Sequence, residues 1–336
     1  LAELHLYDGF ESRALNAALA PGEQVASFAL SGDRRRVAYV VEAATVDQVF
    51  ILDVGAAGSA RRIYTGAPKQ SGQIFPVQVS LDRDGNRALV VDANASYPLR
   101  RAMVRTSDGA VTPVGTTSPG LVQLNGGTFN PVTSEVYFQG QVGGQPPPMS
   151  GTGFLTLVAG DASQAGSLSQ IGGNYPVGGG QGGGINVAVT PNGRHVLHAA
   201  WVGLAGSQTF SLRLNDRVLG TETDLFRAFA PNEFPTPGMF DLNRDGTRVC
   251  FRLNEPSATG SSGPGRLWFA DPADPGRATI LTPVFESLGS CTFAGDGRTV
   301  VFGAAPAAGR VEAYAADVLQ PGTATRIGPP FTTLES

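Results

Sequence analysis

Lysine is almost missing from this chain: Lys69 is the only one in 336 residues. Charged residues of all kinds make up 15%, against roughly a quarter in an average soluble domain. The formal net charge is −4. No basic stripe or cluster exists, so nucleic-acid binding has no electrostatic footing. Cysteine occurs twice, at Cys250 and Cys291, with no CxxC pair and no Cys/His cluster, which argues against structural zinc. The two are read either as one disulfide of an oxidising compartment or as two small buried apolar residues. No apolar run approaches the ~18 residues of a membrane-spanning helix. Helical periodicity is absent too. So are the hydrolase nucleophile elbow, the paired-histidine zinc motif and the phosphate-binding loop. Gly178 to Gly184 contains a formal G-x-G-x-x-G. A strand, not a helix, is expected after it, so we read it as a by-product of glycine density.

Glycine (45) and proline (24) are abundant. They fall between β-rich runs, where turn residues belong. Six segments align without gaps: FALSGDRRRVAYV from Phe28, VSLDRDGNRALVV from Val79, GTFNPVTSEVYFQ from Gly127, VAVTPNGRHVLHA from Val187, FDLNRDGTRVCFR from Phe240 and CTFAGDGRTVVFG from Cys291. Their anchor column holds Asp33, Asp84, Val132, Asn192, Asp245 and Asp296, at spacings of 51, 48, 60, 53 and 51 residues. Four copies carry Asp-Gly or Asn-Gly, the dipeptide of tight hairpins. Three apolar residues follow the turn, as in Val136-Tyr137-Phe138, and predict a strand packed on both faces. A third strand follows a variable loop, for instance Gln48 to Val54, Thr209 to Leu214 and Arg310 to Asp317. A weaker fourth is expected at Ala60 to Tyr64, Thr279 to Leu281 and Thr325 to Ile327.

The third-strand phrase Gln48-Val49-Phe50-Ile51-Leu52-Asp53 and the segment Phe293 to Phe302 resemble the blade signature of TolB-like propellers. The likeness runs over about residues 25 to 328 and implies an all-β propeller of four-stranded antiparallel blades. The fold is specific, but functions on it are many. Six blades are expected, with residues 1–24 as an N-terminal ribbon and 329–336 as a tail; seven blades with one incomplete is the alternative. The third repeat departs most, because Val132-Thr133 replaces Asp-Gly.

Propellers of this kind bind through loops at one face of the ring, which makes Asp92, Tyr97, His198, Trp201, Glu233, Phe234, Arg252 and Glu255 the binding candidates. Each also has an ordinary structural reading. His198 stands in a column otherwise filled by Tyr39, Val90, Phe138, Phe251 and Phe302, where a histidine is most simply a satisfied core residue. His195 shares a column with Arg36, Arg87 and Arg248 and is expected to be solvated. Asp82-x-Asp84-Gly85 and Asn243-x-Asp245-Gly246 look faintly like calcium loops but lack the closing glutamate, so no metal and no cofactor is expected. The functional expectation is a non-catalytic binding or scaffolding module at the cell envelope or outside the cell, with a protein or glycan partner. Two alternatives stay open. One is an enzyme's propeller, either lyase- or glycosidase-like with Asp92, Glu233 or Glu255, or the gate of a peptidase. The other is a self-assembling subunit of a surface filament or coat.

Overall fold

The computed structural model describes residues 4–7, 12–56, 59–69, 77–92, 101–114, 121–133, 135–142, 153–161, 168–173, 175–177, 187–202, 209–227, 234–254, 264–306, 310–327 and 331–332. All regular structure among them is β. A hairpin of β1 (His5–Tyr7) and β2 (Ser12–Ala14) comes first, followed by six sheets. The first sheet contains β3 (Gln24–Leu30), β4 (Arg36–Glu42), β5 (Gln48–Asp53) and β6 (Arg61–Thr65). The second contains β7 (Gln78–Leu81), β8 (Arg87–Val91), β9 (Arg101–Arg105) and β10 (Val111–Pro113). The third contains β11 (Leu121–Phe129), β12 (Val136–Val142), β13 (Gly153–Gly160) and β14 (Ser169–Gln170), with β15 (Tyr175–Val177) also on β13. The fourth contains β16 (Val187–Val189), β17 (His195–Val202), β18 (Thr209–Asp216) and β19 (Thr221–Arg227). The fifth contains β20 (Phe234–Leu242), β21 (Val249–Asn254), β22 (Gly265–Ala270) and β23 (Ala278–Ile280). The sixth contains β24 (Ser287–Phe293), β25 (Thr299–Ala305), β26 (Arg310–Asp317) and β27 (Thr325–Arg326), with β28 (Phe331–Thr332) on β26. Each sheet is an antiparallel meander of consecutive strands. Among the described residues no sheet joins strands from both ends of the chain. Six sheets and a separate ribbon agree with the six-repeat reading.

The chain divides into two compact units. One is Leu1–Pro119 with Gly127–Tyr137 and Ala159–Ser169. The other is Gly120–Gly126 and Phe138–Val158 with Gln170–Ser336.

The repeat becomes physical at the turn between the first and second strands. In all six copies one backbone bond closes it: Ser31, Asp82, Asn130, Thr190, Asn243 and Ala294 donate N–H to the carbonyls of Arg36, Arg87, Glu135, His195, Arg248 and Thr299. Gly85, Gly193, Gly246 and Gly297 sit at φ 65°, 70°, 75° and 64°, the left-handed region where a Cβ is penalised. The first copy has Arg34 at this place with φ 60°, so an arginine takes the glycine conformation. The third copy solves the same problem differently. The Asn130 carboxamide oxygen accepts from Val132 N at 2.9 Å and Thr133 N at 3.2 Å, an Asx-type turn that does without Asp-Gly. Asp82 and Asn243 likewise accept the N–H of Arg87 and Arg248, at 3.1 and 2.9 Å. Their calcium-loop look is turn chemistry.

The second strands of the first five sheets carry fully buried runs. Val37 to Val41, Ala88 to Val90, Val136 to Phe138, Val196 to His198 and Val249 to Phe251 are all buried. In the first unit Ala38, Val40, Ala88, Val90 and Val104 share one core. Leu4 and Leu15 of the N-terminal ribbon cover Val37, Tyr39 and Leu52 on the other face of the first sheet. In the second unit Leu197, Leu212, Leu225, Val249 and Phe251 form a core, and Leu267, Leu281, Leu288, Val300 and Phe302 form another. Each fully buried side chain of this size contributes about 1.5–3 kcal/mol.

Candidate functional site

Three of the expected binding residues are buried. Asp92, just past β8, is fully buried; its Oδ2 accepts from Ala67 N at 2.8 Å and from the Tyr64 hydroxyl at 3.2 Å. Burial, and then the Asp92 charge, push the Tyr64 hydroxyl well above its ordinary range. Arg252 on β21 is 3% exposed and donates from Nη1 to the Leu288 carbonyl; burial lowers its pKa. His198 on β17 is 1% exposed. These side chains join strands and sheets rather than face solvent. Trp201 lies on β17 opposite Phe210, and Phe234 on β20 opposite Asn254. Tyr97, Glu233 and Glu255 lie outside the described residues, as do most of the loops expected to bind. Cys250 and Cys291 are buried thiols.

His198 belongs to a charged set that sequence reading did not assemble. Alternation along β17, β18 and β19 puts His198, Ser211, Arg213, Asn215, Glu222 and Asp224 on one face of the fourth sheet. Arg213 bridges Glu222 at 3.4 Å and Asp224 at 3.1 Å, and its Nε donates to Ser211 Oγ at 2.9 Å. His198 Nε2 stands 3.7 Å from Glu222 Oε2. Gly173 N donates to the same oxygen at 3.2 Å, and Asn215 Nδ2 to the Ile171 carbonyl at 3.1 Å. Burial first, and then the Arg213 charge, pull His198 down to about 3, so the imidazole is neutral at neutral pH. Burial raises Glu222, against the Gly173 bond that lowers it. The arrangement fastens a polar face of the blade around a buried imidazole.

The turns form a second, exposed feature. Arg36 Nη1 donates to the Gly85 carbonyl at 3.0 Å and to Asn86 Oδ1 at 2.8 Å, reaching the next repeat's turn. Arg248 Nη1 does the same to the Gly297 carbonyl at 3.1 Å. His195, one column-mate, is not solvated as expected: its side chain is 14% exposed and lies over Gly246. A Cβ on Gly246 would run into His195 Nδ1. At these three junctions, first to second, fourth to fifth and fifth to sixth sheet, a polar side chain of one turn reaches the glycine of the next.

Within the second unit the turns of the fourth, fifth and sixth sheets enclose a surface cleft of about 460 Å³. Asn192, Asn243, Arg244, Asp245, Arg248 and Asp296 line it. Arg244, Asp245 and Asp296 are exposed. The Thr247 hydroxyl lowers Asp245, and hydrogen bonds from Thr299 hold Asp296 at about 2. Both are carboxylates at neutral pH, set beside two guanidinium groups. Such a wall of alternating donors and acceptors suits a polar partner, a glycan hydroxyl or a peptide backbone, more than an apolar one.

No protein-family model and no curated protein matches the sequence. Solved structures do. The β-propeller domain of the Trilobed protease from Pyrococcus furiosus, described by an open velcro topology, matches at 12% identity over 94% of this chain and 84% of that one, with a TM-score of 0.55. The Cps50 (Swd1) β-propeller domain of Myceliophteria thermophila matches at 13% over 94% and 89%, with a TM-score of 0.53. The chain has the β-propeller fold. TolB from Acinetobacter baumannii is also similar, at 16% identity over 87% of this chain and 66% of that one, with a TM-score of 0.45. The propeller that the blade motif implies stands as a fold on the Trilobed-protease and Cps50 matches. Identities this low say nothing of activity. The sheets described above are blades, and no helix among the described residues is long and apolar enough to cross a membrane.

Proposed function

We propose that this propeller is a non-catalytic binding module that holds a protein or glycan partner at the cell envelope or outside the cell. The cleft across three successive turns carries the reading: it gathers exposed charged and amide groups of both signs on a rigid blade framework. Asp92, His198 and Arg252, by contrast, are bound up inside the blades. The burial of Asp92 supports the non-catalytic reading over the lyase-like alternative.

The test is retention from envelope and secreted fractions with the tagged chain as bait, proteins read by mass spectrometry and glycans by composition. A saturable partner is expected, with affinity reduced about tenfold or more by Arg244→Glu, a loss in the range of one interface hot spot. Loss of the partner in the Tyr97→Ala/Phe234→Ala variant, with Arg244→Glu unaffected, moves binding to the loops and overturns the cleft. Release of modified sugar or peptide fragments with nothing retained overturns the non-catalytic reading.

A further inference from the structure

Cys250 and Cys291 sit 41 residues apart in the sequence on two different blades. Cys250 is on β21, second strand of the fifth blade; Cys291 is on β24, first strand of the sixth. They are 0% and 4% exposed and lie in one core cluster with Leu267, Leu288 and Phe302. Alternation explains the meeting. Val249 and Phe251 turn to the core shared with the fourth blade, so Cys250 between them faces the sixth. Cys291 pairs in register with Phe302, which lines that same core. Beside the pair, β20, the neighbour of β21, is tied to β24. Asp241, opposite Cys250 on β20, accepts from the Thr292 hydroxyl at 2.9 Å and Phe293 N at 3.0 Å, one and two residues past Cys291. The two thiols stand close enough for each to influence the other's titration.

We infer that Cys250 and Cys291 are a modification site that closes, in the presence of a small-molecule disulfide oxidant, into an inter-blade disulfide stapling β21 to β24. The chain has no third cysteine, so only one intramolecular pairing exists. The step is thiol–disulfide exchange. One thiolate attacks the oxidant's sulfur and expels a thiolate; the second protein thiolate then displaces the other half, forming the protein S–S bond. Two protein thiols are oxidised, one oxidant disulfide is reduced to two thiols, and the two protein protons go to solvent or to the departing thiolates. Burial holds the Cys250 thiol far above its ordinary pKa. Thiolate is therefore scarce in the folded core, and exchange there is slow. The bond forms as the blades come together, or through transient opening, and once formed it is shielded by the same core. Closing a loop of about 40 residues restricts the unfolded chain and stabilises the fold.

The experiment refolds the whole chain from denaturant in a buffer of reduced and oxidised glutathione, then alkylates under denaturing conditions and measures intact mass. The expected product has lost two hydrogens and takes up no alkylating agent. It resists reductant when native and yields to it in denaturant, and it melts several degrees above the reduced protein. The Cys250→Ala/Cys291→Ala variant, refolded in parallel, should melt at the same temperature in both buffers. Two alkylated thiols after oxidative refolding to the native state would overturn the inference. So would glutathione retained on one cysteine, or a lower melting temperature in the oxidised form.

Discussion

The fourth blade has two unlike faces. One presents Leu197, Leu212, Leu214 and Leu225 to a core that includes Phe251. The other presents His198, Ser211, Arg213, Asn215, Glu222 and Asp224, of which Ser211, Arg213, Glu222 and Asp224 are tied together by ion pairs and hydrogen bonds. The backbone plan is identical on both sides, since the same strands alternate between them. A propeller blade therefore dictates that a face be covered, not that it be apolar. The apolar face tolerates approximate partners; the charged face needs every group met.

Breaking each face in turn gives the largest expected effects. Phe251→Ala removes a ring packed 5.1 Å from Phe226 and should cost about 3–5 kcal/mol in urea unfolding. Arg213→Leu leaves Glu222 and Asp224 unneutralised. Because Asp224 is about one-third solvated, the cost should be about 2 kcal/mol rather than the larger figure for a fully buried pair. If the charged-face variant proves the costlier of the two, the ranking of the faces is wrong.

Acid sharpens the contrast. His198 has a folded pKa of about 3 against about 6.5 for an ordinary histidine. Between those values the unfolded chain binds a proton that the folded chain refuses, so stability falls as pH drops through that window. Glu222 works the other way: its raised folded pKa favours the folded state as pH falls through that pKa towards the unfolded value. His198→Leu should flatten the loss between pH 6.5 and 3 while leaving the melting temperature at pH 8 within a few degrees. An unchanged acid limb, measured by melting temperature against pH, would place the loss elsewhere.

The smallest effects compare the turns. Gly246→Ala meets both a φ of 75° and the His195 ring, and should cost about 1–3 kcal/mol. Arg34→Gly, at φ 60°, should instead be neutral or stabilise by about 1 kcal/mol or less. Chemical denaturation of the pair settles it; equal costs would mean that the left-handed turn position is not what the glycine column serves.

Much of this architecture was legible in the residues. The Asp-Gly and Asn-Gly turns locate four hairpins, and the apolar triplets after them lie in the second strands, wholly buried in three copies and with Val301 half-buried in the sixth. Third strands expected at Thr209 to Leu214 and Arg310 to Asp317 lie within β18 and β26. Two turns hid their solutions: Arg34 copies glycine's dihedral, and the Asn130 side chain replaces the dipeptide. Neither has a short-range sequence mark. His195 read as solvated because three arginines share its column. What settles its place is the glycine of the following blade, some 50 residues on, a contact no local pattern reports. The charged face was missed for the same reason. Arg213, Glu222 and Asp224 are ordinary polar members of alternating strands, and only register brings His198 beside them. The cleft was missed because binding was sought at the loops, whereas it is built from the turns that make the repeat recognisable.

The most direct test of the binding account is hydrogen exchange on the chain with and without its retained partner. The account predicts slowed exchange at Asn192 to Arg194, Arg244 to Arg248 and Gly295 to Gly297, the three turns around the cleft, with the strands unchanged. Protection confined to the loops at the opposite ends of the strands, with these turns exchanging as in the free chain, would contradict it.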